Sequence, residues 1–230
     1  MTDRTNGQAQ SDNNTQAPSA DAATAGLGPT LLRVAWLAIL LGFMMEGVLL
    51  LLGAGLGDLF GLGPVVAGFV KNVSWSVFVC VGLAVGTTVS KARVQAMGLS
   101  GLLAAPLAFE VSRALHKGTL EALAASGGGS DGASPVLVVV VKTLEYAALG
   151  MAIGWVGKRP WGGATAHAAA GLAVGLAFGG TILALAMGAS PQPPFADLVT
   201  QGVNEVLFPV GCSLVLFSAG ALGKRLGDRR

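Results

Sequence analysis

The sequence predicts an all-α, polytopic membrane protein of six transmembrane helices, with both termini in the cytoplasm. Three observations carry that prediction. First, 53% of the 230 residues are hydrophobic and only 11% are charged, with a mean hydropathy of +0.68. A water-soluble domain carries about 25% charged residues, because its surface must be wet. Second, the chain divides into six apolar stretches, each long enough to cross a bilayer, which takes roughly 20 residues. Third, Lys and Arg fall almost entirely on one side of those stretches. The same scarcity of charge excludes a typical soluble enzyme, a nucleic-acid binder and a disordered chain. A net charge of +2 gives no electrostatic footprint for a polyanion.

In order, residues 1–30 are polar and nearly free of large apolar side chains. Such a segment cannot offset its own ordering entropy, so a disordered tail is expected. The transmembrane domain then occupies 31–223, and 224–230 form a basic tail. The six spans are expected at 31–54, 64–89, 94–115, 135–157, 162–188 and 198–222. Between them lie Gly-Asp-Leu-Phe-Gly at 57–61, the Gly-rich stretch 126–134 and Ser-Pro-Gln-Pro-Pro at 190–194. Gly and Pro clusters of this kind punctuate helices.

Orientation follows from the basic residues. Arg4, Arg33, Lys91, Arg93, Lys158, Arg159, Lys224, Arg225, Arg229 and Arg230 share one side, and Lys117 stands on the other. Cytoplasmic loops hold the excess of Lys and Arg, so the first side is the cytoplasm. The expected location is a bacterial plasma (inner) membrane, with the lipid bilayer as the first partner. A homo-oligomer or a membrane partner subunit also fits a chain of 22.9 kDa.

The even-numbered spans share a pattern. Pro64 precedes Lys71, Asn72 and Ser74; Pro135 precedes Lys142, Thr143 and Glu145; Pro194 precedes Gln201, Asn204 and Glu205. Three tandem two-helix units of about 60–70 residues are one reading of this pattern. A three-plus-three inverted repeat is the other.

Ionisable groups inside spans carry the functional reading. They are Glu46, Lys71, Glu110, Arg113, Lys142, Glu145 and Glu205. Charge at membrane depth is costly, so these groups are expected to pair or to line a wet cavity. At a rise of about 1.5 Å per residue, Lys71 and Lys142 sit roughly 10 Å below the outer ends of their helices. Glu145 and Glu205 sit roughly 15 Å down. Spacings of i, i+3 and i+4 place Lys71, Ser74 and Trp75 on one helical face. Lys142, Glu145 and Tyr146 form a second such face, and Gln201, Asn204 and Glu205 a third. Turned inward, the three faces would meet Glu46 and Glu110. The expected solute or ion pathway therefore comprises Glu46, Lys71, Asn72, Glu110, Lys142, Glu145, Asn204 and Glu205. Glu110 and Glu205 stand out because no base lies one turn away on the cytoplasmic side. Pro106 and Pro209 fall within spans. Pro209, one turn after Glu205, frees a backbone carbonyl beside that acid.

Other signals point to packing. Gly82 and Gly86, Gly150 and Gly154, and Gly171, Gly175 and Gly179 recur four apart, which lets helix backbones approach closely. Cys80 and Cys212 are expected as small buried hydrophobes. His116 and His167 fall on opposite sides of the membrane, so no metal set forms, and no motif calls for a cofactor. Gly98-Leu99-Ser100-Gly101 resembles the Gly-x-Ser-Gly pattern of rhomboid-like intramembrane proteases, with His167 two spans later. In that family the serine and histidine helices enter from the outer face, whereas both helices here start at the cytoplasm. No enzymatic activity is expected.

Six helices with both ends inside and a polar pocket facing out also resemble the substrate-capture subunits of modular vitamin transporters, in architecture alone. The sequence thus leads to a transporter or channel subunit for a small polar or charged solute. The Glu/Lys cluster would open to the outer side, with a Glu available to carry a proton. The alternative is a non-transporting scaffold whose charges pair internally or with a partner helix.

Overall fold

A computed structural model describes residues 20–57, 61–88, 92–125, 134–189 and 194–227, with backbone alone for 20–26. Its elements are all helical: α1 (Ala20–Gly55), α2 (Leu62–Gly86), α3 (Arg93–Ala122), α4 (Pro135–Val156), α5 (Ala164–Val174), α6 (Gly180–Ala189) and α7 (Phe195–Gly227). A π-helical segment, Gly175–Gly179, joins α5 to α6 without a break. Six helical runs are long and apolar enough to cross a membrane, counting Ala164–Ala189 as one.

Two boundaries move. Residues 20–30, expected in a disordered tail, belong to α1. Leu27, Leu31 and Leu32 carry the apolar run outward from Val34, and helix propagation adds residues more easily than it nucleates them. At the other end α7 runs through Lys224 and Arg225, which occupy its last turn. Cations there complement the helix dipole. Residues 1–19, the breaks at 58–60, 89–91, 126–133 and 190–193, and residues 228–230 lie outside the described residues.

Consecutive helices α1 to α4 pack side by side, the α5–α6 span packs on α7 and α4, and α7 returns to α1. Small residues make these contacts close. A β-carbon at Gly101 of α3 would overlap the Tyr146 carbonyl of α4, and one at Gly150 would overlap the Met97 carbonyl of α3. At Gly171 it would stand 2.6 Å from the Pro209 carbonyl oxygen. Ser76 reinforces the α1–α2 contact by donating to the Ala38 carbonyl at 2.5 Å. The glycine spacings thus serve helix packing. Outside, Leu32, Trp36, Leu51, Leu103 and Val136 are exposed, as expected of a surface solvated by hydrocarbon.

Within this ring α2, α4 and α7 touch one another. Their facing side chains include Trp75, Val79 and Leu83, then Tyr146, Leu149 and Ile153, then Phe208 and Cys212. The even-numbered spans of the sequence are therefore the ones that converge.

Candidate functional site

The polar centre lies where these three helices meet. Lys142 is buried on α4 and contacts two carboxylates. Its Nζ lies 2.9 Å from Glu145 Oε2, one turn along the same helix. It also donates a hydrogen bond to Glu205 Oε2 on α7. Glu145 is 0% exposed, Glu205 7% and Lys142 8%. With both carboxyls ionised the trio carries a net charge of −1, and one bound proton makes it neutral. Such a charge away from water is costly unless paired and hydrogen-bonded.

The pairing is incomplete. Glu145 Oε1 is buried with no hydrogen-bond partner among the described residues. The same holds for Asn204 Oδ1, next in sequence to Glu205. Buried polar atoms are nearly always hydrogen-bonded, so an unpartnered carboxyl oxygen within the ion cluster calls for an explanation. Above the ammonium stand the rings of Trp75 and Tyr146, each with its centroid 5.8 Å from Nζ. Trp75 Nε1 donates to the Tyr146 hydroxyl at 3.2 Å, tying α2 to α4 beside the charges.

The backbone at Glu205 is unusual on both sides. Gly175 and Gly179, the ends of the π-helical segment, lie against it. A β-carbon on Gly175 would come within 2.7 Å of the Val206 carbonyl oxygen, and one on Gly179 within 2.8 Å of Glu205 Cβ. Single π turns inside α-helices are frequent at functional sites. Pro209 lies inside α7 four residues after Glu205. It has no N–H to return to the Glu205 carbonyl.

A second polar contact lies between α1 and α2. Asn72 Nδ2 donates to Glu46 Oε2 at 2.5 Å, and both residues are buried. Gly68, one turn before Asn72, leaves the room for this carboxyl, since a β-carbon there would overlap Glu46 Oε1. Lys71 is exposed.

The sequence-derived set is therefore split. Lys142, Glu145 and Glu205 come together, Glu46 with Asn72 forms a separate pair, and Asn204 precedes Glu205 on α7. Glu205 does not lack a base. Its base comes from another helix, which spacing along α7 does not reveal. Lys71 is not part of the inward face of α2: that face carries Asn72, Trp75 and Ser76 instead. The neutral amide meets Glu46 directly, while the lysine keeps its ammonium outside, as a long flexible stem permits. Glu110 is not turned inward either. It is exposed, on the same stripe of α3 as the exposed Leu103 and Leu107. The inward stripe of α3 is taken by Ala104, Ala105, Ala108 and Ser112, whose small side chains permit close packing against α2 and α4.

Cys80 and Cys212 are both fully buried, and their sulfurs are 3.3 Å apart across α2 and α7. Their encounter was invisible in the sequence, because neither stands in a spaced motif. Ser100 donates to the Met97 carbonyl of its own helix at 3.0 Å. His167 Nδ1 lies 2.9 Å from the Gly163 carbonyl, with its ring against Phe217. No hydrogen bond joins Ser100 to His167 among the described residues.

Comparison with family models, with curated proteins and with solved structures finds no match for this chain. The functional reading therefore rests on the site itself.

Proposed function

We propose that the protein is a small membrane transporter or channel subunit that moves protons, alone or coupled to a small polar solute, through the Lys142–Glu145–Glu205 trio. One observation carries this reading. Two buried carboxyls share a single ammonium, and a carboxyl oxygen is left over. A trio built only to fix helix register would be served by one acid and one base. The second acid gives a group that gains and loses a proton while the lysine remains paired. Intramembrane acids in such settings mark proton and ion pathways.

The surroundings support it. Glu205 stands between the π segment and Pro209, where the helical ladder is already interrupted. Local backbone change there breaks fewer hydrogen bonds than in a regular helix. The described state is closed around the trio, and access from the outer side would come from movement of α7 against α4 and the π segment. Cytoplasmic termini and a bacterial inner membrane, expected from the Lys and Arg distribution, complete the proposal.

The test is proton uptake into proteoliposomes, read by an internal pH-sensitive dye under an imposed membrane potential. The wild type is expected to exceed protein-free liposomes several-fold, and Glu145→Gln and Glu205→Gln to abolish the excess. Glu110→Gln is expected to keep it. Wild-type flux equal to that of empty liposomes overturns the proposal.

A second reading has its own observation. Glu110 is exposed on the stripe of α3 that carries Leu103 and Leu107, with the exposed Arg113 one turn further on. A carboxyl on a lipid-facing stripe fits docking of a partner helix that carries a base or amide, as an assembly subunit would require. Co-purification of such a partner, lost in Glu110→Leu, would favour it.

A further inference from the structure

A cavity of about 410 Å³ opens at the end of the bundle where α1 begins and α7 finishes. Its walls are Pro29, Thr30 and Arg33 from α1, and Ala219, Gly220, Gly223 and Lys224 from α7. Among the described residues two bases line it and no acid does. Arg33 is half-buried, and its guanidinium lies over Gly223, where a β-carbon would come within 2.8 Å of Nη1. The arginine is thus held along the cavity wall instead of reaching freely into solvent. Gly220 has nothing within 4 Å of its β-carbon position, so that wall is open.

The position is as informative as the charge. Arg33 belongs to the first turns of the Leu27–Gly55 span, and Lys224 to the last turn of the Phe195–Leu226 span. Both lie near the end of an apolar run, where a spanning helix would leave the hydrocarbon. Beside them the surface turns apolar: Leu32, Trp36, Leu222 and Leu226 are all exposed. Trp36 is one turn from Arg33, and tryptophan favours the interface. An anion held by the two bases would therefore have apolar side chains next to it.

We propose that this cavity binds a phosphate-bearing anion, namely the headgroup of an anionic phospholipid whose acyl chains lie against Leu32, Trp36 and Leu222. Arg33 supplies a planar, multidentate donor suited to phosphate oxygens. Lys224 supplies a point charge on the opposite wall. Free phosphate shares the headgroup's chemistry but has no use for the apolar rim. The proposal is independent of any role for the central trio.

The test uses the full-length purified protein in detergent, titrated with phosphatidylglycerol, phosphatidylcholine or inorganic phosphate, with bound species counted by native mass spectrometry. Wild type is expected to retain phosphatidylglycerol in preference to phosphatidylcholine. Arg33→Ala/Lys224→Ala is expected to bind it about thirtyfold more weakly, the effect of two basic residues near a membrane surface. Gly220→Leu fills the open wall without touching either charge or any packed neighbour, and is expected to weaken binding while the helical circular dichroism stays unchanged. Lys117→Ala is expected to have no effect. Equal retention of phosphatidylglycerol by wild type and both cavity variants overturns the proposal, as does equal retention of the two lipids. Full competition by inorganic phosphate at the same affinity overturns the lipid assignment.

Discussion

Replacing Lys142 with methionine removes the base that contacts two buried carboxyls. At 2.9 Å, and with an effective dielectric of about 20, one charge pair is worth about 6 kcal/mol of Coulomb energy. Most of this is offset by the cost of taking the ions out of water, so the pair itself stabilises little. Removing one partner is different, because the other charge then stays buried without compensation, at about 3–5 kcal/mol. The ammonium also lies 5.8 Å from two ring centroids, and a desolvated contact of that kind adds up to about 2 kcal/mol. The expected loss for Lys142→Met is therefore about 3–5 kcal/mol or somewhat more. The triple variant Lys142→Met/Glu145→Gln/Glu205→Gln, which removes every charge together, is expected near wild-type stability. Equilibrium unfolding in mixed micelles, followed by circular dichroism, measures both. A single-variant loss below about 1 kcal/mol, the value typical of exposed pairs, would refute the dry, paired description. A triple variant as unstable as the single would refute the assignment of the loss to unpaired charge.

Three further outcomes follow from the packing. The native Cys80 and Cys212 sulfurs are 3.3 Å apart, so a membrane-permeant oxidant should link α2 to α7, seen as a bridged peptide pair by mass spectrometry; failure to link them would contradict this packing. Tyr146→Phe deprives buried Trp75 Nε1 of its acceptor and should cost about 1–3 kcal/mol, against almost nothing for Tyr146→Phe/Trp75→Phe relative to Trp75→Phe alone. Gly101→Val and Gly150→Val, which drive a side chain into the facing backbone, should each destabilise by about 1–3 kcal/mol or prevent folding, whereas Gly47→Val, with open space around its β-carbon position, should be tolerated in the same unfolding assay.

Much of the fold was legible because a bilayer constrains sequence strongly. A helix must satisfy its own backbone in hydrocarbon, so each span had to be a long apolar run. The inward faces of α4 and α7 were also legible: Lys142, Glu145 and Tyr146 recur at helical spacing, and three polar groups on one face of an apolar helix have few places to go. The inward face of α2 is legible to about one residue: Trp75 belongs to it as the spacing predicts, but Asn72 and Ser76 share it in place of Lys71 and Ser74. Charge in the sequence does not mark direction, since a lysine stem reaches round a helix and a small amide does not. Glu110 was misassigned for a related reason. On the turns beside it the helix offers the core Ala104, Ala105, Ala108 and Ser112, and spacing alone does not show that close packing claims that stripe. The Lys142–Glu205 bond, the Cys80–Cys212 encounter and the π segment depend on how separate helices are placed, and one chain's local pattern carries no record of that.

The central claim is that the buried trio takes up and releases a proton. Infrared difference spectra recorded across a pH jump, on the protein reconstituted in lipid, test it directly. A carboxyl signal is predicted for wild type, persisting in Glu46→Gln and Glu110→Gln and lost in Glu145→Gln/Glu205→Gln. A wild-type spectrum with no carboxyl signal, or one unchanged by the double substitution, would contradict the account.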